Sequence, residues 1–266
     1  MRSFAPAMTH IARMDTQTIL TYRLNFGMHL LGRLTQIYLL KVVWTAVYEG
    51  QAAIDGVPLQ TLIAYLTLAN LQTWFIYPEA IDVLPGRVRN GAVALDLIRP
   101  LGLLPQLVAH SLGRTVGVTA MVVVVLPIVA VVGSLQLPSS AEAAGLYLVS
   151  TVLAYTITLA IGILVALVAF WTVETNGVGL LFLYVNQFFA GALIPLWFFP
   201  DWLRTLAELL PFQTQAFLPL SLYFGRLQGT EALRALGIEV FWCVVLWVSA
   251  IVVWKRAIRR IHIQGG

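Results

Sequence analysis

Six runs of predominantly apolar residues, at about 26–48, 58–77, 105–133, 144–170, 178–199 and 237–254, constrain this chain more than any motif in it. A helix that crosses a bilayer needs roughly 20 mostly apolar residues, and each run is near or beyond that length. The chain is 59% apolar and 11% charged, whereas a soluble domain averages about 25% charged. No soluble interior hides so much apolar surface. A bilayer removes the difficulty by solvating the outer face, and it then demands helices, because backbone polar groups in lipid must be satisfied within the protein. The expected fold is an all-α integral membrane protein with six transmembrane helices in a single domain over 1–266. The third and fourth runs are long enough to tilt or protrude.

Lysine and arginine positions orient the helices. With both termini in the cytoplasm, that side holds Arg2, Arg13 and Arg23, then Arg87, Arg89 and Arg99, and finally Lys255, Arg256, Arg259 and Arg260. The outer side keeps Arg204, Arg226 and Arg234, all in the longest connection, while Arg33, Lys41 and Arg114 fall inside helices. This asymmetry is the one that sets membrane topology, so the net charge of +4 does not point to nucleic acid. Residues 5–22, where Phe4, Met8, Ile11 and Ile19 alternate with Arg13, Asp15 and Gln17, read as an interfacial helix along the cytoplasmic leaflet. The N-terminus lacks the apolar core of a secretory signal.

Several chemistries have no support. Cys243 is the one cysteine, and His10, His29, His110 and His262 are far apart, so neither a disulfide nor a metal site is expected. The sequence contains no phosphate-binding loop of the form G-x-x-x-x-G-K-[ST], no G-x-S-x-G, no H-E-x-x-H and no C-x-x-C. The chain is therefore not expected to hydrolyse ATP or to be an enzyme. Glu239 reads as lying near the outer end of the sixth helix, with no acid in mid-span, which argues against a proton-coupled carrier. Glu174, in a short inner connection, is explained by topology.

Two segments are punctuated unlike the rest. Residues 78–102 (PEAIDVLPGRVRNGAVALDLIRPLG) hold Glu79, Asp82, Arg87, Arg89, Asp96 and Arg99 between prolines 78, 85 and 100. Val88, Ala92, Leu95, Leu97 and Ile98 predict one short amphipathic helix, which must dock on something to be stable; a groove on a partner protein suits it, and a solvated loop is the plainer alternative. Residues 190–213 (AGALIPLWFFPDWLRTLAELLPFQ) are broken at Pro195, Pro200 and Pro211 and crowd aromatic residues around Asp201. They predict short helices that dip back into the outer leaflet, in an aromatic belt. Within the membrane, Arg33, Lys41, Asn186 and Gln187 are candidates to line a substrate path, against the alternative that they snorkel or bind helices together.

Three stretches carry a family likeness: RVRNGAVALDLIRPLG (87–102), FFAGALIPLWFFPDWLRTLAELLPFQ (188–213) and the tail WKRAIRRIHIQGG (254–266). The chain resembles the permease subunits of ABC-2 type transporters, in their bacterial branch of about this length. The resemblance implies a cytoplasmic coupling helix in the first stretch and a re-entrant outer hairpin after the fifth helix in the second. It implies a bacterial cytoplasmic membrane protein, and a pair of permeases, identical or homologous, each engaging a separate cytoplasmic ATPase that holds the ATP and Mg. This chain itself is expected to bind no cofactor. Members usually export drugs, toxic compounds or lipid-linked molecules. On this reading Leu95, Leu97 and Ile98 enter a groove on the ATPase, with Arg87, Arg89 and Arg99 at its rim. The competing functions are a non-transporting membrane scaffold, a secondary transporter, and a small membrane enzyme acting on lipids. The last should cluster His, Asp or Glu at an interface, and no such cluster is seen in the sequence.

Overall fold

The computed structural model describes residues 5–172 and 176–264, apart from the side chains of Arg23, Asn176 and residues 260–264. Arg2, Phe4, Glu174 and the closing Gly265–Gly266 lie outside the described residues. The chain opens with α1 (Ala5–Thr21), turns at Tyr22 and continues as α2 (Arg23–Tyr48). A small antiparallel hairpin, β1 (Ala53–Ile54) and β2 (Val57–Pro58), leads to α3 (Leu59–Phe75). Two short helices follow, α4 (Ala80–Arg89) and α5 (Val93–Leu97), then the long α6 (Leu103–Gly133) and α7 (Ala141–Leu167). After a 3₁₀ helix at Val168–Phe170 come α8 (Asn176–Phe189), α9 (Asp201–Leu209), α10 (Phe217–Tyr223) and α11 (Gly229–Gln264).

Four of these are long and apolar enough to cross a membrane: α2, α6, α7 with its 3₁₀ extension, and α11 as far as Arg259. Helices α3 and α8 are shorter, at 17 and 14 residues. Burial divides them sharply. Leu62, Ala64, Tyr65 and Thr67 of α3 are fully buried, whereas α2 leaves Leu24, Met28, Leu31, Tyr38 and Leu39 exposed. A helix with a wide apolar surface belongs inside protein or against lipid; α3 takes the first place, and the exposed apolar face of α2 suits the second.

The 178–199 run is not one helix. α8 stops at Phe189, Gly191 takes a positive φ of 76°, and its N–H returns to the Phe188 carbonyl at 3.1 Å. Pro195 then has no N–H with which to resume the helix. Leu196–Phe198 and Pro211–Gln215 form 3₁₀ helices, and residues 213–222 are buried throughout. At the last helix the apolar run is shorter than the element: α11 begins at Gly229, because its first turns (GTEALRAL) are helical but too polar to register as an apolar run.

Three apolar clusters hold the bundle. One, near the β-hairpin, joins Tyr48, Leu62, Tyr65, Leu196, Phe217 and Leu220. A second, at the end carrying α4 and α5, joins Leu84, Val93, Leu103, Leu107, Ile163, Leu167 and Ala257. A third joins Ile37, Trp74, Val118 and Val122 of α2, α3 and α6. The end with α4 and α5 also carries Lys255 and Arg256 of α11, and is called the basic end below.

Helix α1 lies against the first half of α6. Thr16 Oγ1 donates to the Gly113 carbonyl at 2.8 Å, and His110 Nδ1 lies 2.6 Å from Asp15 Oδ2. The approach is close enough that a Cβ at Gly113 would collide with the Ala12 backbone. Small residues permit such backbone contact between membrane helices. Gly113→Leu should therefore push α1 off α6, at a cost of about 1–3 kcal/mol for the overpacked site. Limited proteolysis should then cut within residues 5–21 in the variant and spare them in the parent protein; equal resistance would show that α1 is not held by this contact.

Candidate functional site

Residues 78–102 form two helices rather than the single one expected from periodicity. Asn90 ends α4, and Gly91, at a φ of 74°, turns the chain before α5. A left-handed position of this kind is open to glycine at no steric cost. The apolar side of α4 and the first residue of α5 are used internally: Ala80, Leu84 and Val93 pack with Leu103 of α6 and with Leu159, Ile163 and Leu167 of α7 in the basic-end cluster.

The polar centre of this hairpin is Asp96, which is 2% exposed. Arg87 Nη1 meets its Oδ2 at 2.7 Å, and Arg99 Nη1 meets its Oδ1 at 3.3 Å. Gln106, buried in α6, extends the network. Its Nε2 donates to the Asp96 carbonyl at 3.2 Å and to the Leu101 carbonyl at 2.7 Å, and its Oε1 accepts from Arg99 at 3.3 Å. One carboxylate and one amide thus tie α4, α5, the 98–102 link and α6 into one unit. Asp96 and Gln106 were missed as site residues, because sequence spacing does not pair residues across a glycine turn.

The six sequence candidates in this segment separate accordingly. Leu95 and Ile98 project outward at 62% and 80% exposure. Leu97 is half-buried, Arg89 is exposed, and Arg87 and Arg99 are engaged by Asp96. The outward surface is thus Leu95 and Ile98 with Arg89 nearby in sequence, and Arg87 serves the inner clasp.

The four intramembrane candidates are not brought together. Lys41 Nζ donates to the Val132 carbonyl at 3.2 Å, while Thr67 Oγ1 donates to the Gly133 carbonyl at 3.0 Å. The two supply partners for carbonyls at the C-terminus of α6, which its own ladder leaves open. Arg33 is half-buried, with Arg114 and Tyr77 as its charged or ionisable neighbours. Asn186 and Gln215 pair amide to amide: Gln215 Nε2 donates to Asn186 Oδ1 at 2.6 Å, and Asn186 Nδ2 donates back at 3.1 Å. Gln72 Nε2 reaches the Gln215 carbonyl at 2.9 Å, which joins α3 to the same network. Gln187 is half-buried beside it. Glu239 gains neighbours that the sequence could not show. It sits about three turns inside α11, fully buried, and accepts a hydrogen bond from Ser150 at 2.6 Å.

These features define a multi-pass helical membrane protein with a clasped helical hairpin at its basic end. The model of the ABC-2 family transporter proteins matches residues 34–265. The chain belongs to this family, whose members are membrane permeases of ABC transporters and generally work with an ATPase subunit. No curated protein and no solved structure matches the chain.

Two substitutions test the networks. Asp96→Ala removes the shared partner of two arginines that still reach solvent, so the loss should be about 1–2 kcal/mol. Amide exchange across residues 87–99 should accelerate by about tenfold, with Arg89→Ala unchanged; parental exchange in Asp96→Ala would show that the hairpin holds without its carboxylate. Gln215→Leu strands the buried Asn186 amide and should cost about 1–3 kcal/mol in an SDS-unfolding titration, with part of the loss recovered on adding Asn186→Leu.

Proposed function

We propose that this chain is the transmembrane permease subunit of an ATP-binding cassette exporter, moving a small molecule, drug or lipid-like substrate across the bacterial cytoplasmic membrane with energy from a separate ATPase. The observation that carries the reading is the hairpin α4–α5, which presents Leu95 and Ile98 to solvent from a base clasped by Asp96. Exposed apolar side chains on so short an element suit a groove on a partner. In this arrangement α2, α3, α6, α7, α8 and α11 are the six spans, residues 190–223 are the re-entrant outer hairpin, and both termini and the basic end face the cytoplasm. The cytoplasmic placement is supported by Arg87, Arg89, Arg99, Lys255 and Arg256 at one end.

ATP binding in the partner pushes on Leu95 and Ile98, and the Asp96–Gln106 network passes the displacement to α6. Coupling requires that the docked element have two arrangements that the partner biases. ATP and Mg belong to that partner, and hydrolysis is not a task of this chain. A second permease, identical or homologous, completes the transporter; the exposed Val178, Leu181 and Tyr184 of α8 offer apolar surface for it or for lipid. A non-transporting scaffold or a secondary transporter would need no ATPase at α5.

Leu95→Asp should remove the ATPase from the complex on detergent extraction and abolish export, because an apolar anchor at an interface centre is worth about 2 kcal/mol or more and a desolvated carboxylate adds to the loss. Arg89→Ala should weaken the complex only slightly, and mainly at low salt. The measurement is co-purification of the ATPase at equal membrane expression, together with export. Full ATPase recovery and full export with Leu95→Asp would refute docking at this hairpin.

A further inference from the structure

The α3–α4 link, α6 and the junction of α1 with α2 enclose a cavity of about 260 Å³. Two opposite charges line it, Glu79 of the link and Arg114 of α6, yet no ion pair joins them among the described residues. Glu79 Oε2 is buried without a hydrogen-bond partner. Arg114 Nη1 donates to the Trp74 carbonyl at 3.3 Å, and its Cζ lies 4.8 Å from the centre of the Tyr77 ring. A guanidinium has five N–H donors, so donors remain for an acceptor in the cavity. Burial pushes the Glu79 carboxyl up to about 7, against the pull of Arg114 and with the repulsion of Asp15 and Asp82.

Tyr22, Asn25 and His29 form the wall toward the α1–α2 junction. Beside them on α2, Leu24, Met28 and Leu31 are exposed at 89%, 70% and 60%. Their spacing puts them on one strip of the helix. A pocket of mixed lining, with Phe26, Trp74 and Val118 beside one carboxyl and one guanidinium that do not pair, therefore adjoins a strip of apolar surface suited to hydrocarbon.

We propose that this cavity binds the headgroup of a phosphoethanolamine phospholipid, with the ammonium on Glu79, the phosphate on Arg114, and the acyl chains along Leu24, Met28 and Leu31. An ammonium can donate hydrogen bonds to Glu79 Oε2, and charge-assisted bonds of this kind are the strong ones. A trimethylated choline headgroup has no N–H to donate. A glycerol headgroup carries no cation. The site therefore selects among phospholipids by the nitrogen rather than by the phosphate.

Native mass spectrometry of the purified protein in a neutral detergent tests this with dioctanoyl phosphatidylethanolamine, phosphatidylcholine and phosphatidylglycerol, and with soluble phosphoethanolamine. The ethanolamine lipid should bind about tenfold more tightly than the other two. Glu79→Gln should reduce it to their level. Should that variant fail to fold, Asn25→Trp, at an exposed rim position, fills the mouth and should reduce ethanolamine-lipid binding by a similar factor. Equal binding of the three lipids, or an unchanged preference in a folded Glu79→Gln, overturns the site. Soluble phosphoethanolamine binding as tightly as the lipid overturns the assignment of the acyl chains to α2 and makes a free metabolite the ligand.

Discussion

Helix ends leave carbonyls that their own ladder does not satisfy, and where such an end is packed inside the protein its carbonyls must find partners there. Two ends in this chain are closed in the same way, by a cation and a threonine from neighbouring helices. At the end of α3, Arg114 and Thr115 donate to the carbonyls of Trp74 and Phe75. At the end of α6, Lys41 and Thr67 donate to those of Val132 and Gly133. A cation at a helix C-terminus also meets the negative end of the macrodipole. Threonine brings a donor on a short side chain, which lets the helices approach closely. These bonds run from α2 to α6, from α3 to α6 and from α6 back to α3, so each helix fixes the end of another. Elsewhere tyrosines do the same for loops: Tyr65 donates to the Gly191 carbonyl and Tyr223 to that of Gln136.

What lies beyond those ends inherits its position from them. Arg114 holds the last turn of α3, and the link from Ile76 to Glu79 therefore leaves the bundle at a set place. Pro78 of that link packs so closely on α7 that a Cβ at Gly162 would collide with it. α4 starts immediately afterwards and packs along the end of α7, and the Asp96 network then returns the chain to α6 through Gln106. Had the segment been a solvated loop, it would have shown neither a nearly inaccessible carboxylate nor a buried glutamine spanning two of its carbonyls.

The apolar runs were legible because a bilayer leaves a composition signal over many residues, and α6 and α7 lie close to the limits read from the sequence. The boundaries that went astray are those where composition and conformation part. The first turns of α11 are helical but polar, and the end of α8 is apolar but not helical. Local glycines explain the second case and the split between α4 and α5, since a glycine can be read as flexible without revealing that it takes a positive φ. Polar partners were the least legible. Lys41 and Val132 are 91 positions apart, and Asn186 and Gln215 are 29 apart; no periodicity links such residues. Lys41 stands out in the sequence because a cation in a membrane helix demands an explanation, and its bond to the α6 terminus is one that spacing could not show.

The same reasoning separates the inner from the outer helices. Lipid and protein interior are equally apolar, so hydropathy cannot tell α3 from α2, and the polar side chains must. Two of α3 reach other elements: Thr67, which also bonds the Ile63 carbonyl of its own helix, bonds α6, and Gln72 bonds the 211–215 turn. Those of α2 that face outward bond their own backbone, as Thr35 does to Leu31 and Thr45 to Lys41. A threonine that satisfies itself one turn back needs no neighbour and tolerates lipid. A glutamine cannot do this with both ends of its amide and draws a second element to it. Gln72, Asn186 and Gln215 therefore mark where the chain packs on itself.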